Sequence, residues 1–334
     1  VDPAQPAQVQ SSTGSVVIVD SPRGQDASPL VEMPSTVETW VVHTRACEQK
    51  QGSNPWPGIV VGRLEELNGP LHGSDPQSLI TRMTGRTSVF LIHGAGYGYR
   101  ESVEDAVKIR ALLEALGGLP SGTLFIVFDW PSEVRGFGSI GDLNEDSRRS
   151  QIASYHLARF LQTVPVGSRI CLLGQSDGGR VVLTTMHLLS GAVLSSFWLE
   201  PEVQLSSGRP DLHLRAVILD TAAGHHWLDP GQRLDQALPT CEALLNLHNS
   251  GDLILALYPL GIYTGPRPAI GRVGLRPHDL KQLGPLAARV EQHDLNPTAG
   301  FRHTNFPQAL ESPIAAGRIA CYTSWRDVSV TTLR

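Results

Sequence analysis

Five short stretches of the 334-residue chain are apolar almost without interruption: residues 88–92 (SVFLI), 124–128 (LFIVF), 170–173 (ICLL), 216–219 (AVIL) and 243–247 (ALLNL). A strand with one wet face alternates apolar and polar residues, so runs like these need cover on both faces, as in a parallel sheet. Helical periodicity lies between them. Ala153, Leu157, Phe160, Leu161 and Val164 fall on one helical face, as do Val103, Ala106, Val107 and Ala111, and residues 181–189 form a third apolar-periodic stretch. Strands alternating with crossover helices predict an α/β fold with a doubly wound, mostly parallel sheet. Two β-branched runs, 37–46 and 59–64, precede the series, and 288–292 reads as its last strand.

Residues 1–35 are rich in Pro, Ser, Gln and Gly and read as a tail or linker, leaving 36–334 as one domain. At 41% hydrophobic residues that domain can bury one large core. A formal net charge of −5 argues against a nucleic-acid partner. No stretch approaches the length of a transmembrane span. The chain begins at Val1 with no signal-peptide pattern, which is compatible with both an exported and a cytoplasmic protein. Cys47, Cys171, Cys241 and Cys321 lack metal-type spacing and are expected as free thiols, although two disulfides are permitted.

Gly174-Gln175-Ser176-Asp177-Gly178-Gly179 follows a buried strand and precedes a helical stretch. That context turns a G-x-S-x-G pattern into a nucleophile elbow, a tight turn whose flanking residues must be small and whose Ser stands above the carboxyl end of the sheet. His93-Gly94-Ala95-Gly96 directly follows the strand at 88–92. In this arrangement the loop supplies one oxyanion-hole amide, from Ala95 or Gly96, and Asp177 supplies the other. A dinucleotide fingerprint is excluded, because Tyr99 stands where G-x-G-x-x-G needs its third Gly.

The acid and base must follow Ser176 in that order. Asp252 ends Asn249-Ser250-Gly251-Asp252 after the strand at 243–247, and Asp220, after the preceding strand, is the alternative acid. His303, in the loop beyond the last strand, is the candidate base and His293 the alternative. His225-His226 have no second cluster at ligand spacing, so no metal is expected.

These residues resemble a group of bacterial α/β-hydrolases of the esterase/lipase superfamily, many without an assigned function. The resemblance runs from residue 40 to 325. It rests on Trp40-Val41-Val42-His43-Thr44-Arg45, Phe90-Leu91-Ile92-His93-Gly94, Phe128-Asp129-Trp130-Pro131-Ser132, the elbow, Asn249-Ser250-Gly251-Asp252 and His303-Thr304-Asn305-Phe306. It implies an α/β-hydrolase fold and a Ser-Asp-His triad of Ser176, Asp252 and His303. The elbow departs from the group, which more often carries His-Ser-Met or His-Ser-Leu, and Pro- and Gly-rich sequence at 261–275 replaces a plain helix.

The expected chemistry is hydrolysis of a small-molecule carboxylic ester through an acyl-enzyme, with no cofactor. Lipase, thioesterase and peptidase are alternatives within that class, and a catalytically silent binding or scaffold fold is the alternative outside it. The segment between Asp220 and residue 243 is too short for a large cap domain, so the site should be open. Tyr97, Tyr99, Trp130 and Trp227 are candidate pocket walls or ordinary packing residues.

Overall fold

The computed structural model describes residues 37–47, 58–64, 71–133, 140–194, 211–260 and 266–328. The expected N-terminal tail lies outside them. Among the described residues nine strands form one sheet in the order β3-β2-β1-β5-β4-β6-β7-β8-β9. They are β1 (Glu38–His43), β2 (Val60–Leu64), β3 (His72–Ser74), β4 (Thr87–Ile92), β5 (Leu124–Asp129), β6 (Arg169–Gln175), β7 (His213–Leu219), β8 (Ala243–His248) and β9 (Val290–Asp294). Only the pairs β1–β2 and β2–β3 are antiparallel; every other neighbouring pair is parallel.

The apolar runs are continuous because their residues serve two cores. Phe90 and Ile92 of β4, Leu124, Ile126 and Phe128 of β5, and Ile170 and Leu172 of β6 point into one. Val89, Leu91, Phe125, Val127, Cys171 and Leu173 point into the other. Helices α3 (Ile140–Leu161) and α4 (Asp177–Leu189) cover the first face. Helix α2 (Tyr99–Ala115) and the C-terminal helix Pro313–Thr323 cover the second.

Most expected elements are present, with three differences. The last strand is Val290–Asp294, because 288 and 289 belong to the 3-10 helix Gly284–Arg289. The buried face of α2 is Ser102, Val103, Ala106, Ile109 and Leu113 rather than a stripe continuing through Val107 and Ala111. Strand β3 and helix α1 (Pro76–Met83) carry no pattern that was readable in the sequence. The segment from 221 to 242 holds only the short helices His225–Leu228 and Ala237–Thr240, which is no cap domain. Part of the Pro- and Gly-rich stretch, 261–265, lies outside the described residues; the remainder includes the one-turn helix Ile270–Val273. All four cysteines are free thiols, and Cys47, Cys171 and Cys241 are buried. Among the described residues no helix is long and apolar enough to cross a membrane.

Candidate active site

The chain turns at Ser176 with φ 53° and ψ −120°, a left-handed conformation that costs a non-glycine residue about 1–3 kcal/mol. The glycines around it leave no room for a side chain. A Cβ on Gly174 would lie 2.5 Å from the Gly178 carbonyl oxygen. One on Gly178 would overlap the Ile92 carbonyl and stand 2.5 Å from that of His93, and one on Gly179 would overlap the Thr221 side chain. The elbow is thereby wedged between the ends of β4 and β7. Ser176 itself is half-buried, and its N–H donates to the Leu219 carbonyl at 2.8 Å. Asp177 is the first residue of α4, where an N–H has no partner within the helix.

The 93–96 loop packs directly on this turn, since a Cβ on Gly94 would sit 3.1 Å from Ser176 Cβ. The Gly96 N–H donates to the Ser132 carbonyl at 2.6 Å and is engaged. Of the two amides weighed for this loop, that leaves the one on Ala95, which, like the Asp177 N–H, has no hydrogen bond among the described residues. Trp130 Nε1 donates to the His93 carbonyl at 2.9 Å, and the His93 ring stacks on the Trp130 indole with centroids 5.6 Å apart. His93 is therefore a structural residue. Trp130 is completely buried and packs against it rather than lining a pocket.

Beneath the loop lies a residue that sequence reasoning did not single out. Asp129, fully buried at the end of β5, accepts from Arg45 Nε and Nη2 at 2.9 Å each, pairs with His43 Nδ1 at 2.5 Å, and accepts from Ser102 at 3.0 Å. His93 Nε2 lies 3.3 Å away. Burial works to raise its pKa, but hydrogen bonds from His43, His93 and Arg45 hold it well below the usual carboxylate range. Arg45 also donates to the Tyr97 carbonyl at 2.8 Å, tying the 93–97 loop to this hub.

The structure brings Asp252 and His303 together. Asp252 is fully buried; its Oδ2 lies 2.6 Å from His303 Nδ1, and its Oδ1 accepts the Leu255 N–H at 2.9 Å. The Asn249-Ser250-Gly251-Asp252 motif shapes this contact. Asn249 Nδ2 donates to the Arg302 carbonyl at 2.7 Å, and a Cβ on Gly251 would stand 2.5 Å from both Asn296 Oδ1 and the Gly300 carbonyl. Burial lowers the pKa of His303, but the hydrogen bond and charge of Asp252, helped by Asp220 and Asp177, outweigh it and leave the imidazole above its ordinary value. His293 is not at this site: it lies within β9 and pairs with Glu291 at 2.7 Å. His225 pairs with Asp279 at 2.8 Å.

Asp220 stands beside the pair. Its backbone is left-handed, with φ 42°, and its Oδ2 accepts the Thr304 N–H at 2.6 Å while its buried Oδ1 has no hydrogen-bond partner among the described residues. Burial raises its pKa to about 7. Ligand atoms of Asp220, Asp252 and His303 all lie within 4.8 Å of one another, close enough to hold a cation, although Asp252 and His303 already satisfy each other. Ser176, Asp220 and Asp252 stand beyond the carboxyl ends of β6, β7 and β8. No hydrogen bond within 3.5 Å joins Ser176 to His303 among the described residues; such contacts often tighten only when substrate binds.

Residues 76–204 match the model of a family described as an alpha/beta hydrolase of unknown function. No curated protein sequence matches the chain. Similar solved structures include esterase B from Lactobacillus rhamnosis, with 13% identity, 86% of each chain covered and a TM-score of 0.39. Another is a lipase-esterase related protein from Clostridium acetobutylicum, with 12% identity, 71% of this chain and 93% of that chain covered, and a TM-score of 0.32.

Proposed function

We propose that this chain, an α/β hydrolase by fold, is a serine hydrolase that cleaves carboxylic esters, with residues 36–334 as its catalytic unit. The observation that carries this reading is the combination of the strained Ser176 turn with a pair formed by buried Asp252 and half-buried His303, at the carboxyl edge of one mostly parallel sheet. Asp252 accepts from His303 Nδ1, which leaves Nε2 as the basic nitrogen. His303 takes the Ser176 proton as Ser176 Oγ attacks the ester carbonyl, and the Ala95 and Asp177 amides receive the oxyanion. Each such donor is worth about 3 kcal/mol of barrier. Collapse of the tetrahedral intermediate expels the alcohol, which takes the proton from His303. Water then attacks the acyl-enzyme with His303 again as base, releasing the acid and restoring Ser176.

The test combines a fluorophosphonate with a panel of p-nitrophenyl esters of rising chain length. Mass should be added to one peptide only, the one containing Ser176, and Ser176→Ala should abolish both labelling and turnover while remaining folded. Labelling at another residue, or turnover by the variant, would overturn the mechanism. A folded protein that neither labels nor turns over any ester would instead be a silent binding fold.

A further inference from the structure

Beside the elbow, on the side of β7, the structure gathers two guanidinium groups round one indole. Arg180 follows Ser176 by four residues, and its N–H donates to the Ser176 carbonyl at 3.3 Å. Its side chain is buried: Nε donates to the Ala222 carbonyl at 2.6 Å, and Nη1 lies 3.2 Å from Asp177 Oδ1. The Arg180 guanidinium is 6.0 Å from the rings of both Trp227 and Tyr258. Arg233 lies 4.7 Å from the same Trp227 ring, held there by a backbone hydrogen bond of 2.7 Å from Leu234 to the Trp227 carbonyl.

Arg180 has a counter-charge; among the described residues Arg233 has none. Arg233 is half-buried and makes no hydrogen bond or ion pair among the described residues, so none of them meets the five N–H donors of its guanidinium, which stay open to solvent or to a ligand. Asp235, two residues on, faces His187 at 3.8 Å and accepts the Gly231 N–H at 3.1 Å instead. Burial, followed by the charge of Arg180, lowers the Arg233 pKa to about 10. A half-buried cation next to a second cation gains from a nearby anion, and a carboxylate matches the guanidinium fork with two parallel hydrogen bonds.

The cluster also adjoins the reacting groups on both sides. The Ala222 N–H donates to the Ser176 carbonyl at 3.1 Å, and the Leu255 N–H donates to Asp252. Ala222, Leu255, Tyr258 and Ala269 form one small apolar cluster between them.

We propose that Arg233, with Arg180 and Trp227, forms a subsite for an anionic group of the substrate, so that the hydrolase selects esters carrying a second, free carboxylate. The inference rests on the serine-hydrolase reading above for its kinetic consequence, and on Arg233 alone for binding.

The kinetic test uses mono-p-nitrophenyl esters of adipic and suberic acid, each against the isostere in which a methyl ketone replaces the free carboxylate. The wild type should favour at least one carboxylate ester by tenfold or more in kcat/KM. Arg233→Gln should reduce that ratio by tenfold or more, and Arg233→Lys, which keeps the charge without the fork, should retain part of it. A binding arm avoids catalysis altogether: adipate and suberate are titrated calorimetrically into the Ser176→Ala protein with and without Arg233→Gln. Binding that disappears with Arg233 supports the subsite even if no ester is turned over, in which case the hydrolase reading alone fails. Equal kcat/KM for carboxylate and ketone esters, a ratio unmoved by Arg233→Gln, or no Arg233-dependent binding of either diacid would overturn the proposal.

Discussion

Replacing Asp220 by Asn should make the protein more stable at pH 8 and leave its stability near that of wild type at pH 4. The carboxyl is completely buried, its Oδ1 has no hydrogen-bond partner among the described residues, and Asp252 stands close enough to repel it. Burial is the main cause that raises its pKa from 3.8 to about 7. Because the folded state holds this proton more tightly than the unfolded chain, stability falls as pH rises from about 4 to about 7, and the loss is complete above that window. Each factor of ten in acid dissociation is worth about 1.4 kcal/mol, so the difference amounts to about 4 kcal/mol. Asn carries no charge to desolvate, and its amide oxygen can keep the Thr304 hydrogen bond, although its NH2 group needs an acceptor. The net gain expected at pH 8 is therefore about 2–4 kcal/mol. Urea unfolding of both proteins at half-unit steps from pH 4 to pH 8 measures it, since contributions common to both cancel in the difference. A difference that does not grow with pH, or a variant less stable than wild type at pH 8, would refute the argument that burial raises the Asp220 pKa.

The same two acids should separate in kinetics. Asp252→Asn should lower kcat by about 10⁴, the scale of a misplaced tautomer, and Asp220→Asn by far less; the reverse ranking in ester turnover would make Asp220 the orienting acid. The base must be neutral to accept a proton, and the His303 pKa is raised, so kcat/KM should climb with pH through a value above the ordinary 6.5. His303→Ala should abolish activity, while His293→Ala should leave that rising limb in place. An inactive His293 variant would move the base into β9. Gly178→Ala pushes a methyl group into the Ile92 and His93 carbonyls and should cost about 1–3 kcal/mol of stability, together with most of the activity. Gly317→Ala, with open space around it in the C-terminal helix, should be neutral or stabilising by up to about 1 kcal/mol; thermal melts and esterase rates of the two variants compare them directly.

What was readable in the sequence, and what was not, follows from where each signal resides. The five apolar runs declare a sheet covered on both faces because alternate residues enter two different cores, as in β5. The face of α2 was harder to place. Val103 and Ala106 belong equally to a stripe through Val107 and Ala111 and to one through Ile109 and Leu113, and exposing small residues costs too little to choose between them. Strand β3, three residues reading His-Gly-Ser, is recruited by pairing with β2 and has no apolar pattern of its own. At the proposed site, the residue types and chain order of Ser176, Asp252 and His303 suggest a triad from the sequence, and the structure pairs Asp252 with His303. Which of the Ala95 and Gly96 amides is left without a partner among the described residues depends on the Ser132 carbonyl, an acceptor 36 positions away from Gly96, and no local pattern reveals that.

The Asp129 hub shows the same limit from the other side. Trp40-Val41-Val42-His43-Thr44-Arg45 and Phe128-Asp129-Trp130-Pro131-Ser132 are two short motifs with no evident chemistry in either. The parallel register of β1 and β5 sets His43 opposite Asp129 at the ends of both strands, which makes the two motifs one cluster. A buried carboxylate is tolerable only when fully paired, and removing one partner of such a group typically costs about 3–5 kcal/mol. Here the pairing also does mechanical work for the neighbouring loop. Residues 93–97 have almost no regular structure of their own, yet the Ala95 amide must hold a fixed position against Ser176 if it is to receive an oxyanion. Hydrogen bonds from the hub's surroundings fix the loop, among them Arg45 to the Tyr97 carbonyl, Trp130 to the His93 carbonyl, and the Gly96 N–H to the Ser132 carbonyl. The donors and acceptors on the far side of those bonds lie within three residues beyond the carboxyl ends of β1 and β5. Preorganisation of the proposed oxyanion hole is therefore a property of the sheet's register, and substitutions at His43 or Arg45 belong among those expected to affect catalysis even though neither residue is part of the proposed triad or oxyanion hole.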